Sequence, residues 1–412
     1  MPRGQGTYLV GMTERLYYND SHLTEFEARV LDVTPRTSGW ATVMLDRTAF
    51  YPTGGGQPSD TGTLSGARVV ECIDDDAGVL HIIHGAAPEV GEVVKGSIDW
   101  ERRLDHIQQH TGQHILSQAF IELYQAETHG FRMMAQASEI DIALDNPTDE
   151  RIDKVVKLSN RIIWEDRAVQ ARQVKSDEAA RLDLRKEPTR EGDVRIIEIE
   201  GFDLTPCGGT HAHRTGEVGI VAVRHWERAK GMARIEFVAG RRALVDYQHA
   251  NKTAREVAAY FSVGRDDAPA SVSHLFEENK KLLRHVRSLE EITARVEAEF
   301  LISEAPQTPN GNRLITRIYE GRDPESLKRL ALALIAHPNT IALLGSRFED
   351  AARIVFARSA DATGDMNSMM RDACAMLDGR GGGRPEIAQG GGHALDMLEE
   401  TIEAAAQKIR ET

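Results

Sequence analysis

The chain reads as an α+β protein: a small β-barrel, an α/β unit, a helical hairpin or short coiled coil, and a C-terminal α/β module. Three observations predict this order. Short β-branched runs fill the first hundred residues, apolar spacing turns helical at Trp100, and strand and helix signals alternate again after residue 305. A length of 412 residues exceeds one typical domain. The expected boundaries are 12–99, 100–240, 241–304 and 305–412.

Within the first segment, Phe26–Val33 and Trp40–Asp46 read as strands. Arg68–Ile73, a turn at Asp74–Gly78 and Val79–Ile83 read as a hairpin, and Gly91–Ile98 adds a strand. Met12 opens the first persuasive run, so residues 1–11 read as a lead-in. The insert Phe50-Tyr-Pro-Thr-Gly-Gly-Gly-Gln-Pro-Ser-Asp-Thr-Gly62 combines three permissive glycines with two stiffening prolines. It lacks the Gly-Lys-Ser/Thr ending of a P-loop. It reads as a turn at the barrel rim or as a loop that packs against a functional site.

From Trp100 onward, Leu104, Ile107, Ile115, Leu116, Ala119, Phe120 and Leu123 mark the buried side of a helix. Glu139–Leu144 is a strand, and Thr148 caps a helix to about Arg167, with Asp149 and Glu150 in its first turn. Strands at Ala168–Val174 and Val194–Ile199 flank a short helix, and strands at Val218–Arg224 and Ala233–Val238 complete one sheet covered by helices. Two helices follow, Arg241–Phe261 and His274–Phe300. The second keeps a heptad seam through Leu275, Leu282, Leu289 and Val296, interrupted by Asn279. That seam is expected to pair within the chain or in a homodimer.

Ala305–Asn312 has linker chemistry. Beyond it lie strands at Leu314–Tyr319, Thr340–Gly345 and Ala352–Arg358 and helices at Pro324–Ala336 and Met366–Asp378. The glycine-rich run from Asp378 to Gly392 reads as a loop. There Arg380 and Arg384 stand beside free backbone N–H groups that suit a phosphate.

The chemistry concentrates in two short stretches. His110-Thr-Gly-Gln-His114 places two imidazoles one helical turn apart on one face. Cys207-Gly-Gly-Thr-His211 adds a thiolate and a third imidazole. His110, His114, Cys207 and His211 make four nitrogen and sulfur donors, the set Zn²⁺ prefers. His106, one turn before His110, and His213, two residues after His211, offer a rival set. The Glu that H-E-x-x-H proteases use as a base is missing.

A net charge of −14 opposes indiscriminate coating of nucleic acid. Local surfaces are basic nonetheless: residues 151–187 hold ten basic and seven acidic side chains, and residues 221–242 hold six and two. Three scattered cysteines make no disulfide framework, which points to a reducing cytoplasm. No segment approaches 18 uninterrupted apolar residues, so no membrane partner is expected.

His-Thr-Gly-Gln-His-Ile-Leu, followed by Cys-Gly-Gly-Thr-His and Thr215-Gly-Glu-Val-Gly219, resembles the editing domain shared by alanyl-tRNA synthetases and free-standing AlaX-type editing proteins. Tyr51–Gly62 is similar to the glycine-rich signature of the longer AlaX proteins, and Gly381–Gly391 resembles the DHHA1 domain of the synthetases. The resemblance implies a zinc-containing hydrolase that acts in trans on alanine tRNA mischarged with serine or glycine. It assigns the metal to His110, His114, Cys207 and His211. It leaves no room for an aminoacylation domain. Thr111 and Gln113, on the ligand helix, are candidates for contacting substrate. Arg132 stands where relatives carry His after Gly-Phe, so it is a candidate for altering the amino-acid pocket. Arg380 and Arg384 are candidates for tRNA binding. No residue is singled out as a general base. The rival class is a tRNA-binding protein whose zinc site is only structural.

Overall fold

A computed structural model describes residues 13–187, 192–308 and 310–411. The expected lead-in at residues 1–11 lies outside them. The chain forms two compact units, Met1–Glu256 and Val257–Thr412.

The first unit begins with β1 (Glu14–Arg15), β2 (Glu25–Pro35), β3 (Trp40–Leu45) and β4 (Arg47–Thr48), then β5 (Gly62–Leu64), β6 (Ala67–Asp75), β7 (Gly78–His84) and β8 (Val93–Ile98). Six of these close into a barrel in the order β2-β3-β7-β6-β5-β8. Alternation drives the closure: Phe26, Ala28 and Val30 point inward from β2, while Glu25, Glu27 and Arg29 face water. The glycine-rich insert leaves the barrel after β4 and returns to it at β5.

Helix α1 (Trp100–Tyr124) starts where Asp99 accepts a hydrogen bond from the Arg102 N–H at 3.3 Å. Its buried side differs from an ordinary apolar stripe. Arg103, His106, Gln109, His110, Thr111, Gln113, His114 and Ser117 are buried alongside Ile107, Ile115, Leu116 and Phe120. Leu123, expected inside, is 41% exposed. The histidine pair lies in mid-helix and not in the first turns. Next come β9 (Thr128–Met133), β10 (Ser138–Ile142), α2 (Asp149–Trp164), β11 (Val169–Val174), α3 (Ser176–Ala179), β12 (Val194–Ile199), β13 (Asp203–Pro206), β14 (Val221–Ala229) and β15 (Met232–Ala239). Thr148 caps α2 as expected, accepting from the Arg151 N–H at 3.3 Å, but the helix ends at Trp164, short of Arg167.

The strands make two sheets where one was expected, β14-β15-β10-β9 and β11-β12-β13. Strands β9 and β13 escaped the sequence reading because glycine, proline and polar residues blur their alternation. Leu116 and Phe120 of α1 and Ile163 of α2 share one core with Ile140, Ile235 and Phe237 of the first sheet. Each such side chain contributes about 1.5–3 kcal/mol by burial.

Helix α4 (Gly240–Tyr260) crosses the boundary between the units, and α5 (Ala268–Glu304) follows. The heptad residues Leu275, Leu282, Leu289 and Val296 are all more than half exposed. The opposite side of α5 buries Ala298 and Leu301 in a core that they share with α6 (Pro324–Ile335). The second unit also holds β16 (Arg313–Glu320), β17 (Thr340–Phe348), β18 (Ala351–Arg358), α7 (Met366–Met376), β19 (Gly379–Gly383), β20 (Ile387–Gly392) and α8 (Leu398–Glu411).

Its sheet has the order β16-β17-β18-β20-β19. This corrects the reading of residues 378–392 as a loop with free N–H groups, since 379–383 and 388–392 pair in an antiparallel ladder. The glycines serve packing. A Cβ on Gly381 or Gly390 would lie 2.6 or 2.4 Å from Cys374 Sγ on α7. Arg380 is exposed on the outermost strand, and Arg384 is exposed in the turn that follows it.

Candidate metal centre and cleft

Mid-helix placement on α1 stacks His110 and His114 on the buried face, and the segment after β13 returns Cys207 and His211 to them. One donor atom from each of the four lies within 4.8 Å of the others. His110 Nε2 is 3.3 Å from Cys207 Sγ, and His114 Nε2 is 3.3 Å from His211 Nε2.

The outer nitrogens decide what those atoms can do. His110 Nδ1 lies 2.7 Å from Gln57 Oε1, His114 Nδ1 3.0 Å from Asp203 Oδ2, and His211 Nδ1 3.1 Å from the Gly209 carbonyl. For His110 and His211 the outer partner is an acceptor, so Nδ1 carries the proton and Nε2 keeps a lone pair, whereas His114 Nδ1 has Arg185 Nη2 at 3.3 Å beside Asp203. His114 Nε2 and His211 Nε2 face each other at 3.3 Å, so two neutral rings would oppose lone pairs there; burial resists a charge on His114, but Asp203 and Cys207 raise it above its ordinary value. A cation at the centre resolves that arrangement. Three imidazoles and one thiolate match tetrahedral Zn²⁺, and the three acceptors fix the imidazoles as outer partners do in metal sites. Burial alone would raise the Cys207 thiol, but His110 and His211 hold it well below its ordinary value. Burial lowers His211 to about 3, which favours the neutral, ligating form. Asp203 resists protonation despite its burial, since Arg185 and His114 draw it down to about 2.

The glycine-rich insert supplies the bridge between the two ligand stretches. Gln57 Oε1 also accepts from the Thr210 N–H at 3.3 Å, and its Nε2 donates to Thr210 Oγ1 at 2.9 Å. Three residues on, Asp60 meets Arg103 of α1 in a fully buried ion pair, with Arg103 Nε 3.1 Å from Asp60 Oδ1. Arg103 also donates to the carbonyls of Ser21 and Ala49, at 2.7 and 2.6 Å. Arg195 of β12 ties down the second stretch by donating to the carbonyls of Cys207 and Gly209, at 2.8 and 3.0 Å. A Cβ on Gly209 would lie 2.2 Å from His110 Cε1, so only glycine allows this approach.

His110, His114 and Cys207 open onto a cleft of about 580 Å³, lined also by Tyr51, Gln113, Thr128, Phe131, Arg185 and Lys186, with His211 buried behind them. Gln113 Nε2 and Thr128 Oγ1 both donate to Ser117 Oγ, at 2.8 and 2.7 Å. Thr111 is fully buried, and its hydroxyl accepts from the Ala212 N–H at 3.0 Å, so it braces the ligand segment away from the cleft lining. Arg132 is also absent from the lining; it pairs with Glu139 at 2.8 Å and Asp141 at 3.5 Å. Neither rival ligand joins the four donors. His106 is buried with an unpartnered Nδ1, and His213 is exposed beside Asp20. Sequence reading missed Gln57, Asp203, Arg185 and Arg195. The one signal for any of them was a polar residue set between the glycines and proline of the insert.

Among the described residues, no helix is long and apolar enough to cross a membrane. Three family descriptions match the chain: tRNA synthetases class II (A) over residues 9–102, the threonyl and alanyl tRNA synthetase second additional domain over 194–236, and the DHHA1 domain over 310–411. The alanyl-tRNA editing protein AlaX-L of Pyrococcus horikoshii is 32% identical, over 97% of this chain and 99% of its own length. The alanine–tRNA ligase of Methanoregula boonei is 32% identical over 96% of this chain, which spans only 43% of that ligase. The solved C-Ala domain of Aquifex aeolicus alanyl-tRNA synthetase aligns with 26% of this chain and 96% of its own, at 26% identity and a TM-score of 0.24.

Proposed function

The chain belongs to the AlaX family of alanyl-tRNA editing proteins, and on that premise we propose that it deacylates mischarged alanine tRNA in trans, in the cytoplasm. The substrate is the ester joining serine or glycine to the terminal adenosine. The observation that carries this reading is the convergence of His110, His114, Cys207 and His211, three of which line a cleft whose wall also offers Gln113 and Thr128.

An editing site is needed for physical reasons. A pocket made for alanine discriminates against glycine by only about 1–3 kcal/mol, the worth of a methyl group, and it excludes an added hydroxyl poorly. A second site must therefore accept serine by hydrogen bonding. Gln113 and Thr128, linked through Ser117, present polar atoms beside His114 that suit a seryl hydroxyl. When bound, zinc supplies a Lewis acid that polarises a carbonyl or anchors an amino group. Gln57, Asp203 and Gly209 keep the three imidazoles oriented, and Phe131 and Tyr51 restrict water on the cleft wall. Arg185 and Lys186 add positive charge where the 3′ end arrives. Arg380 and Arg384 contact the body of the tRNA in this reading. A second copy of the chain would cover the exposed seam of α5.

Hydrolysis of Ser-, Gly- and Ala-tRNA(Ala), with and without chelator, tests the proposal. Mischarged species are expected to be cleaved and Ala-tRNA(Ala) spared, with activity lost in Cys207→Ala together with the metal. Full activity in metal-stripped protein would refute the metal's role. Tight tRNA binding without hydrolysis of any species would leave a binding protein with a structural zinc site.

A further inference from the structure

The segment that carries His211 holds a second group of metal-type donors, outside the cleft. His213 Nε2 lies 3.3 Å from Asp20 Oδ1, and its ring stacks on His22 with centroids 3.9 Å apart. One donor atom from each of Asp20, His22 and His213 lies within 4.8 Å of the others. His22 Nε2 is 2.7 Å from Glu217 Oε2, and Glu217 Oε1 accepts from the N–H groups of His213 and Arg214, both at 3.1 Å.

The hydrogen bonds again settle which lone pairs are free. Glu217 takes the proton on His22 Nε2, so the free lone pair of that ring is on Nδ1. His22 Nδ1 is buried and has no hydrogen-bond partner. Asp20 and Glu217 bring two negative charges, and among the described residues their side-chain contacts are imidazoles and backbone N–H groups, with no lysine or arginine. Two imidazoles and a carboxylate, one imidazole oriented by a second carboxylate, are the donors of a borderline divalent cation.

We propose that Asp20, His22 and His213 form a second site, for a divalent transition-metal ion of the zinc class, with Glu217 orienting His22. Three protein donors and partial exposure leave positions for water, so this ion exchanges faster than one held by Cys207 and three buried imidazoles. Its occupancy ties the Asp20–His22 turn to the segment that carries His211. The two are already joined by the His211 N–H donating to Ser21 Oγ at 3.1 Å.

Titrating metal-free protein with Co²⁺ tests this without reference to hydrolysis. Two equivalents are expected per chain by calorimetry, and only the tighter one brings the sulfur-to-cobalt charge-transfer band of Cys207. His213→Ala and His22→Ala should each weaken the second equivalent at least tenfold while the band persists, and the band itself reports that the variant is folded. Asp20→Asn decides should either alanine variant lose the band. A single equivalent in the wild type, or a second one that survives the double His22→Ala/His213→Ala change within twofold, would overturn the proposal.

Discussion

Replacing Gln57 by leucine should loosen the metal centre without touching a ligand. In the native chain the Gln57 carbonyl oxygen receives two protons, from His110 Nδ1 at 2.7 Å and from the Thr210 N–H at 3.3 Å. Leucine leaves both donors buried without an acceptor, at about 1–3 kcal/mol each when unrelieved. The His110 ring also loses what fixes its tautomer, and outer partners of this kind are worth about 10–100-fold in metal affinity. That range is about 1.4–2.8 kcal/mol. Competition with a chromophoric chelator reads the affinity directly, and denaturant unfolding of metal-free protein reads the stability. Gln57→Glu is the informative companion, since its carboxylate still accepts from His110 and the Thr210 hydroxyl can rotate to donate to it. Zinc held by the leucine variant as tightly as by the wild type would refute the bridging role.

Arg103→Met should cost about 3–5 kcal/mol, because it strands the Asp60 carboxylate in the interior; Arg103→Met/Asp60→Leu should recover part of that loss, and a drop below 1 kcal/mol in urea unfolding would contradict the pair's importance. His81 is buried in the barrel, and burial lowers it from 6.5 to about 4. The unfolded chain therefore takes up a proton between those values that the folded chain refuses. Its contribution is intact above pH 6.5 and fades as the pH falls toward 4, about 3 kcal/mol in all. Comparing unfolding of the wild type and His81→Leu across pH 4–7 isolates that slope, and parallel curves would count against it. Gly390→Ala should destabilise the second unit by about 1–3 kcal/mol through its clash with Cys374; an unchanged melting temperature would show that the hairpin can shift.

Much of the fold was legible where side chains carry a period. The barrel strands, α1, α2 and the elements from β16 to α7 announce themselves through alternation or helical spacing. The hairpin β19–β20 did not, because a strand made of glycine has no pattern to alternate, and its cause is the proximity of α7. The four donors were legible because two of them share a helix turn and the other two frame a double glycine. Gln57 was not, since its partners lie 53 and 153 positions away and no spacing rule links an insert in one barrel to a distant helix. Arg132 is the converse case: its place in the sequence suggested the pocket, and the structure pairs its charge with Glu139 and Asp141 on the neighbouring strand.

The Arg103–Asp60 pair governs how this protein could be taken apart. With the guanidinium bolted to the insert and to the carbonyls of Ser21 and Ala49, α1 inherits its position from the barrel. Excising residues 100–240 as a minimal unit would set that helix adrift and leave a stranded cation at its foot. The smallest transplantable piece therefore carries the barrel with it.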